Sequence, residues 1–135
     1  MIPLFIVAHG NLGESLIQCA AHVLGKAPDA LESINLSASD DPNEMLDMAQ
    51  ATLDKTDSPN GILLLTDIYG ATPCNTVCRL LEPGRIEAVA GVNLPMLLKV
   101  LTYRNLPLAE LKVKAVEGGV GGVVGVDMER GCACS

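Results

Sequence analysis

His9 and Asp67 are the residues of this chain from which chemistry is most readily built. His9 directly follows the apolar run Ile2–Ala8 (IPLFIVA), and Asp67 follows the run Ile62–Leu65 and Thr66. Short apolar runs closed by turn residues predict strands buried on both faces. In open α/β sheets, ligands bind beyond the carboxyl ends of the strands, where the strand order reverses. With the first and third strands as neighbours there, His9 and Asp67 stand about 4.8 Å apart, one strand spacing, within reach of a hydrogen bond. A carboxylate so placed fixes the imidazole tautomer and leaves the other ring nitrogen free as a nucleophile. Gly70-Ala71-Thr72-Pro73 opens a helix close by. Unpaired N–H groups at a helix start favour anions, and the Thr72 hydroxyl adds a donor. Together these groups suit acceptance of a phosphoryl group by His9, with Gly10, Ala71 and Thr72 holding the phosphate. Each residue also has a plainer role: His9 as a loop residue, Asp67 as a turn cap, Thr72 as a helix cap.

The positioning elements follow from periodicity. Ile17, Ala20, Ala21 and Leu24 form one helical stripe, stopped by Gly25. Leu31–Leu36 is a more polar strand. Ser39-Asp40-Asp41-Pro42 starts a second helix, with Asp41 as N-cap, Pro42 at the first position, and Met45, Met48, Ala49, Thr52 and Leu53 facing inward. Cys74, Val77, Cys78 and Leu81 give a third stripe, and Ile86–Ala90 a fourth strand. Leu94, Leu97, Leu98 and Leu101 mark the next helix, and Leu108, Leu111, Ala115 and Val116 the last. The valines among the glycines of 118–126 predict a final, irregular strand. Alternation of this kind predicts an α/β fold: a doubly wound, mostly parallel sheet with helices on both faces.

A length of 135 residues fits one domain, expected over residues 1–126 with a flexible tail at 127–135. The net charge of −7 argues against nucleic acid and anionic membranes and suits a basic protein partner. No apolar window approaches the ~20 residues of a membrane span. Lys26 and Lys55 are the first basic residues, so no basic leader precedes an apolar stretch, and a cytoplasmic chain with reduced thiols is expected. Cys74 to Arg79 is one residue short of the C-x5-R loop of cysteine phosphatases, and Cys74 and Cys78 suit a buried helix face. Cys132 and Cys134 lack a nearby histidine to suggest a metal. The glycine cluster matches neither a dinucleotide fingerprint nor a Walker A sequence. Neither cofactor nor metal is expected.

These segments together resemble the IIA component of the mannose family of the bacterial sugar phosphotransferase system. IPLFIVAHGNLGESL resembles its strand-His-Gly opening, LLLTDIYGATPCN its D-x-x-G-[GA]-[ST]-P-x-N turn, and GVNLPMLL its G-x-N-x-P-M-L segment. The resemblance spans roughly Ile2 to Val126; Ala71 stands where glycine is common. It implies a sheet of order 2-1-3-4, with His9 the phosphorylated histidine, Asp67 its paired carboxylate and Thr72 the active-site hydroxyl. It implies the phosphoryl donor HPr, a IIB acceptor that is a separate protein, and a homodimer in which a C-terminal strand, here within 118–126, is exchanged antiparallel onto the partner's sheet. A related reading is the phosphotransfer subunit that feeds dihydroxyacetone kinase, disfavoured by GVNLPM and by the P-x-N after Thr72. A reading from another class is a regulatory module whose phosphorylation on His9 alters its affinity for a target.

Overall fold

The computed structural model describes residues 1–36 and 41–128. Four strands, β1 (Leu4–His9), β2 (Leu31–Leu36), β3 (Ile62–Thr66) and β4 (Ile86–Ala90), form one parallel sheet in the order β2-β1-β3-β4. Helices α1 (Leu12–Leu24), α2 (Pro42–Asp54), α3 (Thr72–Leu80), α4 (Leu94–Thr102) and α5 (Leu108–Gly121) cover its two faces. The doubly wound order expected from the sequence is therefore present, and its reversal falls between β1 and β3.

Both central strands are buried along almost their whole length because each is sandwiched between helical layers. Strand alternation divides their side chains. Leu4, Ile6, Ala8, Leu63 and Leu65 pack with Ala20 of α1, Leu97 and Val100 of α4 and Leu111 of α5. Phe5, Val7, Ile62 and Leu64 pack with Met45, Ala49 and Leu53 of α2 and Val77 and Leu80 of α3. Pro3 precedes β1, where its missing N–H breaks no ladder bond and its carbonyl still accepts from Leu63 N–H at 3.2 Å. Asp41 caps α2, accepting from Asn43 N–H at 2.9 Å with Pro42 beside it. Gly25 closes α1 in the left-handed conformation.

Several sequence expectations need correction. In α3 the buried stripe is Pro73, Cys74, Thr76, Val77 and Leu80, so Cys78 faces solvent. Leu81 has already left the helix with extended backbone and cannot continue the stripe. Met48, Leu24 and Val116 lie at the margins of their stripes and are exposed. The larger difference is at 118–126. Residues 118–121 are the last turn of α5, and 122–127 carry no strand. Gly118, Gly119 and Gly122 serve close helix packing instead. A β-carbon on Gly118 would lie 2.6 Å from Lys99 Cβ, and one on Gly122 2.3 Å from Pro95 Cβ. Ser39, Asp40, Cys132, Cys134 and all but two residues of the expected tail lie outside the described residues.

The far end of the sheet holds a group that periodicity did not single out. Arg104, buried between α4 and α5, donates to Ile2 O (3.1 and 2.9 Å), Ala30 O (2.7 Å) and Asp29 O. It ties the entries of β1 and β2 to the helical layer. Burial lowers its pKa, with Asp29 opposing the shift.

The helix contact predicts opposite outcomes for two glycines. Replacing glycine by alanine in a helix adds up to about 1 kcal/mol, whereas overpacking costs about 1–3 kcal/mol. Gly121→Ala, which meets nothing within 4 Å, should stabilise the chain, and Gly118→Ala should destabilise it. Denaturant midpoints of the two variants check this; a Gly118→Ala at least as stable as Gly121→Ala would refute the close packing.

Candidate functional site

His9 is the last residue of β1, on the same strand face as Phe5 and Val7. That parity turns it toward the layer of α2 and α3, and no strand residue follows to bury it. Its side chain is 50% exposed, against 10% for Asp67. Thr66, the last residue of β3, pairs with Val7, two residues before the end of β1, and Asp67 follows it into reach of His9.

The carboxylate takes three hydrogen bonds. Oδ2 accepts from His9 N–H at 3.1 Å and contacts His9 Nδ1 at 2.7 Å; Oδ1 accepts from Ile68 N–H at 2.9 Å. The side chain of Asp67 thus takes the place of the next ladder carbonyl at the end of β1. Burial raises its pKa, but hydrogen bonds from the His9 ring, from the His9 and Ile68 main chain, and the charge of His9 outweigh burial and leave it lowered. An ionised carboxylate can only accept, so Nδ1 carries a proton, and in the neutral imidazole Nε2 then holds the lone pair.

Neighbouring turns hold this pair in place. Gly10 (φ +54°) and Gly70 (φ +86°) occupy the left-handed region, which lets the chain turn sharply after β1 and within the loop after Asp67. Gly91 N–H donates to Thr66 O at 2.9 Å and Asp67 O at 3.1 Å, tying the exit of β4 to that of β3. Thr72 begins α3, exposed, and its hydroxyl makes no hydrogen bond among the described residues. Ala71 is the N-cap and supplies no capping side chain, whereas Asp41 caps α2 and Asn93 caps α4. Pro73 has no N–H, so Thr72 and Cys74 carry the open donors of this helix start.

Of the residues expected from the sequence, His9 and Asp67 are in direct contact. Thr72 and Ala71 stand at the helix start in the same connection as Asp67, outside hydrogen-bond contact with either. Gly10 N–H is committed to Leu36 O at 3.2 Å, so Gly10 contributes a turn rather than a free donor. The double use of Asp67, on ring and on main chain, was not foreseen; the Thr-Asp ending of the third apolar run was its only signal. Asn93, which the sequence places in the G-x-N-x-P-M-L segment without a role of its own, caps α4 by accepting from Met96 N–H at 2.9 Å and donates to Gly119 O at 3.1 Å. Among the described residues there is no cluster of three His, Cys, Asp or Glu able to hold a metal, and no helix is long and apolar enough to cross a membrane.

Fold and site define a doubly wound α/β protein with a carboxylate-paired histidine at its strand-order reversal. Residues 3–117 match the EIIA-man family, described as the phosphotransferase system (PTS) fructose IIA component. The chain belongs to this family. It is 32% identical over 125 residues to the PTS system mannose-specific EIIAB component of Escherichia coli (strain K12), covering 90% of this chain and 38% of that protein. It therefore spans about two-fifths of that relative's length. It is 28% identical over 113 residues to the PTS system fructose-specific EIIA component of Bacillus subtilis (strain 168), covering 82% of this chain and 77% of that protein. In structure it is similar to phosphotransferase system component EIIA from Streptococcus agalactiae (TM-score 0.81, 27% identity, 96% and 99% of the two chains). It is also similar to the mannose/sorbose specific IIA subunit from Enterococcus faecalis (TM-score 0.82, 25% identity, 94% and 96%).

The hydrogen bonds on Asp67 have a consequence for stability. A lowered folded-state pKa contributes stability above the unfolded value, about 3.9 for Asp, and that contribution is lost as pH falls through the folded value. The stability difference between wild type and Asp67→Asn should be largest near neutral pH and shrink below about pH 4. Denaturant unfolding across pH measures it, and a difference constant with pH would contradict the ionised pairing.

Proposed function

We propose that the chain is a cytoplasmic histidine phosphocarrier that accepts a phosphoryl group from phospho-HPr on His9 and passes it to a IIB component. The observation that carries this reading is the 2.7 Å contact between His9 Nδ1 and Asp67 Oδ2 on a half-exposed imidazole. Nε2 attacks phosphorus in line; the Nε2–P bond forms as the bond to the donor breaks. With Nδ1 already protonated, the ring gains positive charge, which Asp67 stabilises. The Thr72 hydroxyl and N–H at the start of α3 steady the phosphoryl oxygens, with the Ala71 connection shaping that cradle. Positioning and fixed charges supply most of the acceleration, as in other phosphoryl transfers. Transfer to the acceptor reverses these steps.

The chain works as a homodimer under this proposal, with residues 122–126 leaving the end of α5 to pair antiparallel with β4 of a second copy. Val120, Val123, Val124 and Val126 are exposed. An apolar groove of about 550 Å³ runs beside edge strand β4, lined in part by Val89, Met96, Val116 and Val120. An added strand would fill it and cover the sheet edge. Val123→Asp with Val126→Asp should shift the sedimentation coefficient from dimer to monomer; no shift would reject this arrangement.

Incubation with labelled phosphoenolpyruvate, enzyme I and HPr tests the carrier role. Wild type should take up one acid-labile, alkali-stable phosphoryl group and lose it on adding the IIB acceptor. His9→Ala should take up none. Asp67→Asn, which favours the other tautomer, should slow uptake by roughly two to four orders of magnitude. Equal labelling of wild type and His9→Ala would end the assignment.

A further inference from the structure

We propose that Cys74 and Cys78, one turn apart on α3, form a two-thiolate site for a soft monovalent cation of the copper(I) class. This lies beyond the phosphocarrier reading and stands or falls independently of it.

The first observation is placement. Cys74 is buried, Cys78 is exposed, and both thiols are free. Residues at i and i+4 of a helix share a face, with β-carbons about 5–6 Å apart. The helix that carries them is fixed. Asn75 N–H closes its first turn on Ala71 O at 2.9 Å, and Val77 and Leu80 sit in the core with side chains of β1, β3 and α2. The two thiols also sense each other. Loss of hydration, then the charge of Cys74 and a hydrogen bond with it, push the Cys78 thiol up. The second negative charge of a dithiolate is thus disfavoured by the first, and a cation held between the sulfurs removes that repulsion.

The second observation is spacing, which selects the chemistry. A disulfide needs β-carbons about 3.5–4.5 Å apart, closer than one helical turn leaves them, so closing it would distort a helix that Val77 and Leu80 pin. Two metal–thiolate bonds of about 2.3 Å, the zinc–sulfur length, span up to about 4.6 Å between sulfurs, which the unaltered helix accommodates. The number of ligands selects the ion. Zinc takes three or four protein ligands, whereas no third His, Cys, Asp or Glu joins this pair among the described residues. Cys19 lies on α1, which packs on the opposite face of the sheet. Thiolates alone select copper(I), a filled-shell ion that two ligands on a line satisfy. In binding, both S–H bonds break with their protons passing to solvent, two S–Cu bonds form, and no oxidation state changes. Cys78 gives the ion entry, and Cys74 holds it on the sheltered side.

The test uses the full chain with Cys19→Ser, Cys132→Ser and Cys134→Ser, which leaves this pair as the only thiols. It is titrated without oxygen with copper(I) held by the chelator bicinchoninate. One ion per chain should move to the protein and show two sulfur neighbours in X-ray absorption. Because two protons leave, the apparent affinity should rise by up to about a hundredfold per pH unit while both thiols are protonated. Cys78→Ser, a change at an exposed position, should abolish uptake. Adding Arg79→Cys to it should not restore uptake, because a residue at i+5 turns away from Cys74. Uptake retained in Cys78→Ser, or restored by Arg79→Cys, would overturn the site. Absence of uptake by the parent with its three serines would overturn it as well, and the loss of two hydrogens on mild oxidation would then identify the pair as a disulfide couple instead.

Discussion

The hydrogen bond between His9 and Asp67 is the constraint on which the arrangement depends. It joins the ends of two strands far apart in sequence that meet only because the sheet order is β2-β1-β3-β4. Any order separating β1 from β3 would leave the imidazole without its carboxylate. The same carboxylate also holds the His9 main chain. Ring orientation and strand ending are therefore set by one group, and the ring cannot rotate away without leaving Oδ2 with a single donor. That double hold is a physical basis for a defined tautomer on an otherwise exposed side chain.

Different exposure of the two partners serves this purpose. Asp67 is sheltered, which raises the cost of its charge, but its three hydrogen-bond donors outweigh that cost. His9 is left half open, so Nε2 faces outward while Nδ1 is engaged. A deeper imidazole would be better ordered and inaccessible to a protein-borne phosphoryl group; a shallower carboxylate would be screened by water and hold the ring less firmly. The frame is stiff where it must be. Aliphatic side chains fill both faces of β1 and β3, and Arg104 fastens the strand entries at the far end. The turns carrying Gly10 and Gly70 can therefore adopt specialised backbone geometry on a rigid base.

How much of this could be read from the residues differs by region. β2 and β4 matched their expected ranges, β1 and β3 came within two residues at either end, and the Asp41–Pro42 cap was correctly placed, because apolar runs and capping residues are local signals. The meeting of His9 with Asp67 followed from topology, since alternation of strand and helix restricts where strand ends can lie. Residues 118–121 misled because Val and Gly report two different pressures. Valine favours strands, but these glycines are placed by the closeness of Lys99, Met96 and Pro95 on a neighbouring helix, which no local window contains. Cys78 and Leu81 misled for a related reason: the apolar stripe fits two phases, and only the backbone's departure at Leu81 chooses between them. Arg104 was unreadable because its partners are main-chain carbonyls, which leave no trace in residue type.

The single half-exposed imidazole carries one more implication under the phosphocarrier proposal. A single imidazole must both receive and release the phosphoryl group. Donor and acceptor then both have to reach Nε2, and cannot do so at once. Transfer proceeds by alternation: the donor must leave before the acceptor arrives. That requirement favours short residence of each partner over tight binding. An apolar patch around His9 that tightened the first complex would do so at the expense of the second.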